Sequence, residues 1–84
     1  MATPGDIDRL LRPALTEEFE IEAQDILPDA ALGDALGIDS LDMVDLAVTI
    51  DRLFGIKTSR EELAGQRTYG DLLTLIERRL NAGA

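Results

Sequence analysis

A serine stands at position 40 within Leu36-Gly37-Ile38-Asp39-Ser40-Leu41-Asp42, where a glycine-bearing loop gives way to a helix. A hydroxyl placed there lies beside the N–H groups that a helix start leaves unpaired and at the positive end of the dipole, so it is suited to carrying a phosphodiester. Hydrolysis fits poorly. A serine nucleophile needs a base and an oxyanion hole, yet the chain has no histidine and no Gly-x-Ser-x-Gly around Ser40. Cysteine is absent too, which removes disulfides, thiolate metal sites and a cysteine nucleophile. Asp39, Asp42 and Asp45 lack the alternating spacing and mid-loop glycine of an EF-hand, so no metal site is assigned. Taken alone, Asp39-Ser40-Leu41-Asp42 also reads as an ordinary helix cap.

Charge narrows the partners. Eleven acids and no Lys or Arg occupy Pro13 to Asp51, and the whole chain has seventeen acids against eight bases. That balance argues against nucleic acid and anionic membrane surfaces, and favours partners with basic docking surfaces. With 84 residues, 45% of them hydrophobic, the expectation is one domain over residues 1–84. Such a domain buries roughly 60% of its unfolded surface in one small core, which leaves no room for a deep enzyme cleft. No apolar run nears the roughly 18 residues of a membrane span. Met1-Ala2-Thr3 leads into helical pattern without a basic, apolar leader, so a cytoplasmic monomer is expected.

The elements that position Ser40 announce themselves by their starts. Thr3 with Asp6, Asp39 with Asp42, Ser59 with Glu62 and Thr68 with Asp71 each resemble a capping box, and four helices follow. The first places Ile7, Leu10, Leu11, Ala14, Leu15 and Phe19 on a core-facing stripe. Pro13 removes one intrahelical bond there, which predicts a kink or break near Arg9 to Arg12. Residues 20–38, with Pro28, Gly33, Gly37 and scattered Ile21, Ile26, Leu27, Leu32 and Leu36, read as a long loop pinned to the core. The third helix is short, from Ser59 to about Ala64, with Gly65 as its stop. The fourth puts Tyr69, Leu72, Leu73, Ile76 and Leu80 on one side.

The second helix has two apolar faces. Projected at about 100° per residue, Met43, Leu46, Ala47, Ile50, Leu53 and Phe54 form a core face. Leu41, Val44 and Val48 fall opposite, interleaved with Asp42, Asp45, Asp51 and Arg52. An exposed apolar strip bordered by carboxylates is what a docking helix needs, because burial supplies contact energy while the charges set register. Surface valines and leucines are also common without purpose, so the strip gains meaning from its position directly after Ser40.

The run Leu36 to Asp42, the acidic loop before it and the acid-bordered helix after it resemble the acyl carrier proteins, and the match runs from the first helix to the fourth. The resemblance implies an all-α four-helix bundle with a long first loop and a short third helix. It implies that Ser40 receives 4′-phosphopantetheine from coenzyme A through a separate phosphopantetheinyl transferase. Asp39 would help place that enzyme's magnesium and cap the helix. Leu41, Asp42, Val44, Asp45, Val48 and Asp51 match partner-recognition positions. Leu46, Ile50, Leu63 and Ile76 match an interior that can shelter the acyl chain.

The chain departs from the family pattern at Pro13, Arg52, Thr58 and Gln66. Thr58 and Gln66 are polar where apolar residues are usual, which predicts a short pocket or a polar cargo, and with it a specialised pathway. The reading adopted is a non-catalytic acyl carrier that serves acyl-transferring or synthase enzymes of fatty-acid, polyketide or related synthesis. Its rivals are a peptidyl or aryl carrier domain, and a helical interaction module that never takes the arm.

Overall fold

Three of the four expected caps close on both sides in the computed structural model, which describes residues 2–82. Thr3 Oγ1 accepts from the Asp6 N–H while Asp6 Oδ2 accepts from the Thr3 N–H, both at 3.2 Å. Thr68 and Asp71 repeat the arrangement at 3.1 and 3.2 Å, and Asp39 and Asp42 do so at 3.0 and 3.1 Å. Ser59 Oγ accepts from the Glu62 N–H at 3.0 Å. Glu62 does not reciprocate, because its carboxylate takes a two-point contact from Arg79.

The helices so started are α1 (Pro4–Glu18), α2 (Asp42–Phe54), α3 (Arg60–Ala64) and α4 (Tyr69–Ala82), with one 3-10 turn at Ala23–Asp25 in the first loop. The described residues contain no strand beyond an isolated bridge between Ala31 and Thr68. α1 packs against α4 and α2, and α3 closes the side of α2. Ile7, Leu11, Leu15, Leu46, Leu72 and Ile76 are covered almost completely at the centre of one continuous apolar cluster.

The break expected near Arg9 to Arg12 is absent: α1 runs unbroken through Pro13. The bond that Pro13 cannot make falls on Arg9, and both residues are exposed, so the carbonyl is freed on the side of α1 that faces solvent rather than the core. Leu10 also departs from the expected stripe, being 52% exposed, and Leu75 of α4 joins the core in addition to the predicted face. After Phe19 the chain leaves the helix through Glu20, whose φ of 56° is left-handed.

The loop is pinned as expected by Ile21, Ile26, Leu32 and Leu36, with Ile38 added, whereas Leu27 points outward. Backbone bonds fasten it to the segment between α3 and α4. The Leu32 N–H donates to the Arg67 carbonyl at 2.9 Å and the Tyr69 N–H to that of Ala30 at 3.0 Å. A Cβ on Gly70 would meet the Pro28 oxygen at 2.9 Å, so glycine permits this close approach of helix and loop. Nearer the serine, Gly37 turns the chain at φ 71°, and the Ile38 N–H then bonds back to the Leu32 carbonyl at 2.9 Å.

Candidate functional site

Asp39 organises the entry to α2. Its Oδ1 accepts from the N–H groups of both Leu41 and Asp42 at 3.0 Å, and its carbonyl accepts from the Met43 N–H at 3.2 Å. Asp39 is therefore the residue that caps the helix, although regular helical geometry begins only at Asp42. The N–H groups after Ser40, expected to be free, are already satisfied by Asp39. Ser40 is accordingly no ready-made anion cradle. What it presents is an exposed side chain whose hydroxyl has no hydrogen bond among the described residues.

Leu41, Val44 and Val48 stand on the outer face of α2, 77%, 51% and 64% exposed. Asp45 is exposed beside them, and Asp42 and Asp51 are half-buried at the edge. Asp51 is not a free carboxylate, because Lys57 pairs with it. The predicted docking residues thus share one outward surface that begins at the serine. Leu46, Ile50, Leu63 and Ile76 lie elsewhere, brought together from three helices as fully buried members of the core.

Thr49 was missed in the sequence. It is the buried polar side chain of α2, and its hydroxyl donates to Glu18 Oε1 at 3.0 Å. Arg52 pairs with the other oxygen of the same carboxylate. The signal was its spacing: Thr49 follows Leu46 by three residues and so falls at the edge of the core face. Among the described residues no group of three or more acids could hold a metal ion, and no helix is long and apolar enough to cross a membrane.

A small all-helical bundle, with one long loop leading to its second helix, has the architecture of a carrier domain. A family model described as a phosphopantetheine attachment site matches residues 9–76. The chain is 38% identical over 77 residues to the meromycolate extension acyl carrier protein of Mycolicibacterium smegmatis, covering 92% of this chain and 78% of that protein. To the acyl carrier protein of Rhodococcus erythropolis it is 41% identical over 82 residues, covering 98% and 90%. To that of Thermotoga maritima it is 32% identical over 80 residues, covering 95% and 99%. The chain belongs to the phosphopantetheine-attachment family of acyl carrier proteins, which are carriers rather than catalysts and bear a covalent 4′-phosphopantetheine.

Proposed function

We propose that Ser40 Oγ is the attachment point and that residues 1–84 act as one acyl-carrying domain of lipid synthesis. The observation that carries this is the division of labour between neighbours: Asp39 makes the cap, which leaves the Ser40 hydroxyl exposed and unengaged. In the loading step Ser40 Oγ attacks the phosphorus that bears the pantetheine in coenzyme A. A new oxygen–phosphorus bond forms, the pyrophosphate link breaks, and adenosine 3′,5′-bisphosphate leaves. The chain has no histidine to take the serine proton, so the base comes from the transferase. Asp39 Oδ2, which accepts no bond among the described residues, is free to face that enzyme's magnesium.

Once bound, the arm supplies the thiol that this cysteine-free chain lacks. The chain's own contribution is presentation. Leu41, Val44 and Val48 offer apolar contact, and Asp42 and Asp45, which have no ion pair among the described residues, steer enzymes with basic docking surfaces, with Asp51 held at the edge by Lys57. The relatives named as acyl carriers, including one named for meromycolate extension, favour acyl cargo over peptidyl or aryl cargo. Incubation with coenzyme A, magnesium and a broad-specificity transferase tests the reading. One arm is added to the wild type and none to Ser40→Ala; modification that persists in the alanine variant moves the site elsewhere.

A further inference from the structure

Leu63 is the buried residue of the short helix α3, and it belongs to one apolar cluster with Leu46 and Ile50 of α2 and Ile76 of α4. All four are fully covered, so an alkyl chain enters among them only if an element moves aside. The ties on α3 differ at its two ends. Behind it the backbone is fastened to the first loop, where the Leu32 N–H donates to the Arg67 carbonyl at 2.9 Å and the Gly70 N–H to that of Pro28 at 2.8 Å. Ahead of it, among the described residues, no backbone group of residues 56–62 bonds to backbone beyond Gly65. Arg79 of α4 holds that end instead. Its Nη1 donates to both carboxylate oxygens of Glu62 at 2.9 Å and its Nη2 donates to the Lys57 carbonyl, with the exposed Lys57–Asp51 pair as a further tie.

We propose that Arg79 is a latch: when it lets go, α3 swings about its fastened C-terminal side and the gap opens at the Thr58 end, admitting an alkyl chain toward Leu46, Ile50 and Ile76. The inference rests on the reading that this interior shelters the cargo. Arginine suits the task because one planar fork meets a carboxylate and a carbonyl together, whereas an ammonium is a single point charge. Ile76 precedes Arg79 by about one turn of α4, so the latch stands at the edge of the interior it closes. Both partners are partly exposed, which keeps the pair weak enough to open. Thr58, whose buried hydroxyl has no partner among the described residues, adjoins Lys57 and lies on the edge that lifts.

Hydrogen exchange on the unloaded carrier reads the latch. In Arg79→Ala the Glu62 and Leu63 amides, which bond to Ser59, are expected to exchange about fivefold faster than in the wild type, with those of Leu32 and Tyr69 within about twofold. Arg79→Lys is expected to fall between, since it restores the charge without the fork. Unchanged exchange at Glu62 and Leu63, or an equal rise at all four amides, overturns the latch. Melting then reads the cargo: the gain from a butanoyl over an acetyl arm is expected to be larger in Arg79→Ala than in the wild type by about 4 °C, because the chain no longer has to displace the latch. An equal, nonzero gain in both forms overturns the role of Arg79 in cargo entry. A butanoyl arm that brings no gain in either form defeats the sheltering reading, while the exchange result still decides whether Arg79 holds α3.

Discussion

Thr49, a buried polar side chain in the middle of α2, gives its hydroxyl to the carboxylate of Glu18 at the end of α1 across 3.0 Å. Arg52, one turn further along α2, holds the other carboxylate oxygen. The contact joins residues 31 positions apart and ties the middle of α2 to the end of α1. Arg52 is thereby occupied within the molecule and makes no ion pair with Asp45, which stays exposed on the outer face of α2. The departure from the family pattern at Arg52 therefore serves the fold rather than altering the acidic face.

The first prediction concerns acid stability. Hydrogen bonds from Arg52 and then Thr49 hold the Glu18 carboxyl below the usual glutamate range, against a smaller opposing effect of burial. The folded state thus favours the charged form, and the unfolded chain takes up its proton at higher pH. Stability from this site is complete above the unfolded value and is lost as pH falls through the folded one. Lower pH also relieves repulsion among the other acids, so the wild type must be compared with Glu18→Gln. The gap between their melting temperatures is expected to be constant near neutrality and to shrink below the ordinary glutamate range. A gap that persists unchanged into strong acid contradicts the pairing.

Local signals in the chain foretold local structure, which is why the four helix starts, the stop at Gly65 and the outward strip of α2 were legible. What depended on distant partners was not. Glu18 with Arg52, and Tyr69 with Asp8 at 2.6 Å, span 34 and 61 residues and leave no periodic trace. Pro13 misled because its cost depends on whether the freed carbonyl meets water, a matter of which face it lies on. The free N–H groups expected beside Ser40 were filled by Asp39, a capping role that the sequence did suggest, although not its consequence for the serine.

That consequence separates two neighbouring substitutions. Ser40→Ala removes an unengaged exposed hydroxyl, so stability should stay within about 0.5 kcal/mol while arm attachment vanishes. Asp39→Ala removes the cap and should cost about 1 kcal/mol, with loading slowed but still directed to Ser40. Denaturant melts and intact mass read both effects. Equal stability loss in the two variants would mean that Ser40 shares the capping role.

Docking should respond to the outer face without a matching loss of fold. Val48→Asp and Asp45→Lys alter exposed side chains, so each should change stability by no more than about 0.5 kcal/mol. Loading or acyl transfer should fall about tenfold, with the salt dependence weakened most by the lysine. Normal transfer rates per folded molecule in both variants would remove this face from recognition.

Salt tests the acid-rich stretch as a whole. Two of its eleven carboxylates find cations outside the stretch, Glu18 with Arg52 and Asp51 with Lys57, which leaves nine without an ion pair among the described residues. Their mutual repulsion should be screened between low and physiological ionic strength, raising the melting temperature by about 4 °C, roughly 1 kcal/mol in a domain of this size. A flat response means that the spread of these acids over the surface already makes the repulsion small.

The last prediction turns on the two polar residues near α3, which the structure treats differently. Gln66 Nε2 donates to the Glu62 carbonyl at 3.1 Å, so its amide nitrogen is satisfied, whereas Thr58 Oγ1 is buried without a partner among the described residues. The polar cost expected of both therefore falls on Thr58. Thr58→Val keeps the shape, removes the unpaired hydroxyl and should stabilise the carrier by about 1 kcal/mol. If the interior of Leu46, Ile50, Leu63 and Ile76 shelters the cargo and a long chain extends from it to the buried Thr58 hydroxyl, that unpaired group disfavours long saturated chains. Wild-type melting temperature should then rise only with short or oxygenated acyl groups, and Thr58→Val should extend the rise to longer saturated ones. A steady rise with chain length in the wild type, unaltered by the valine, would show that Thr58 has no part in choosing the cargo.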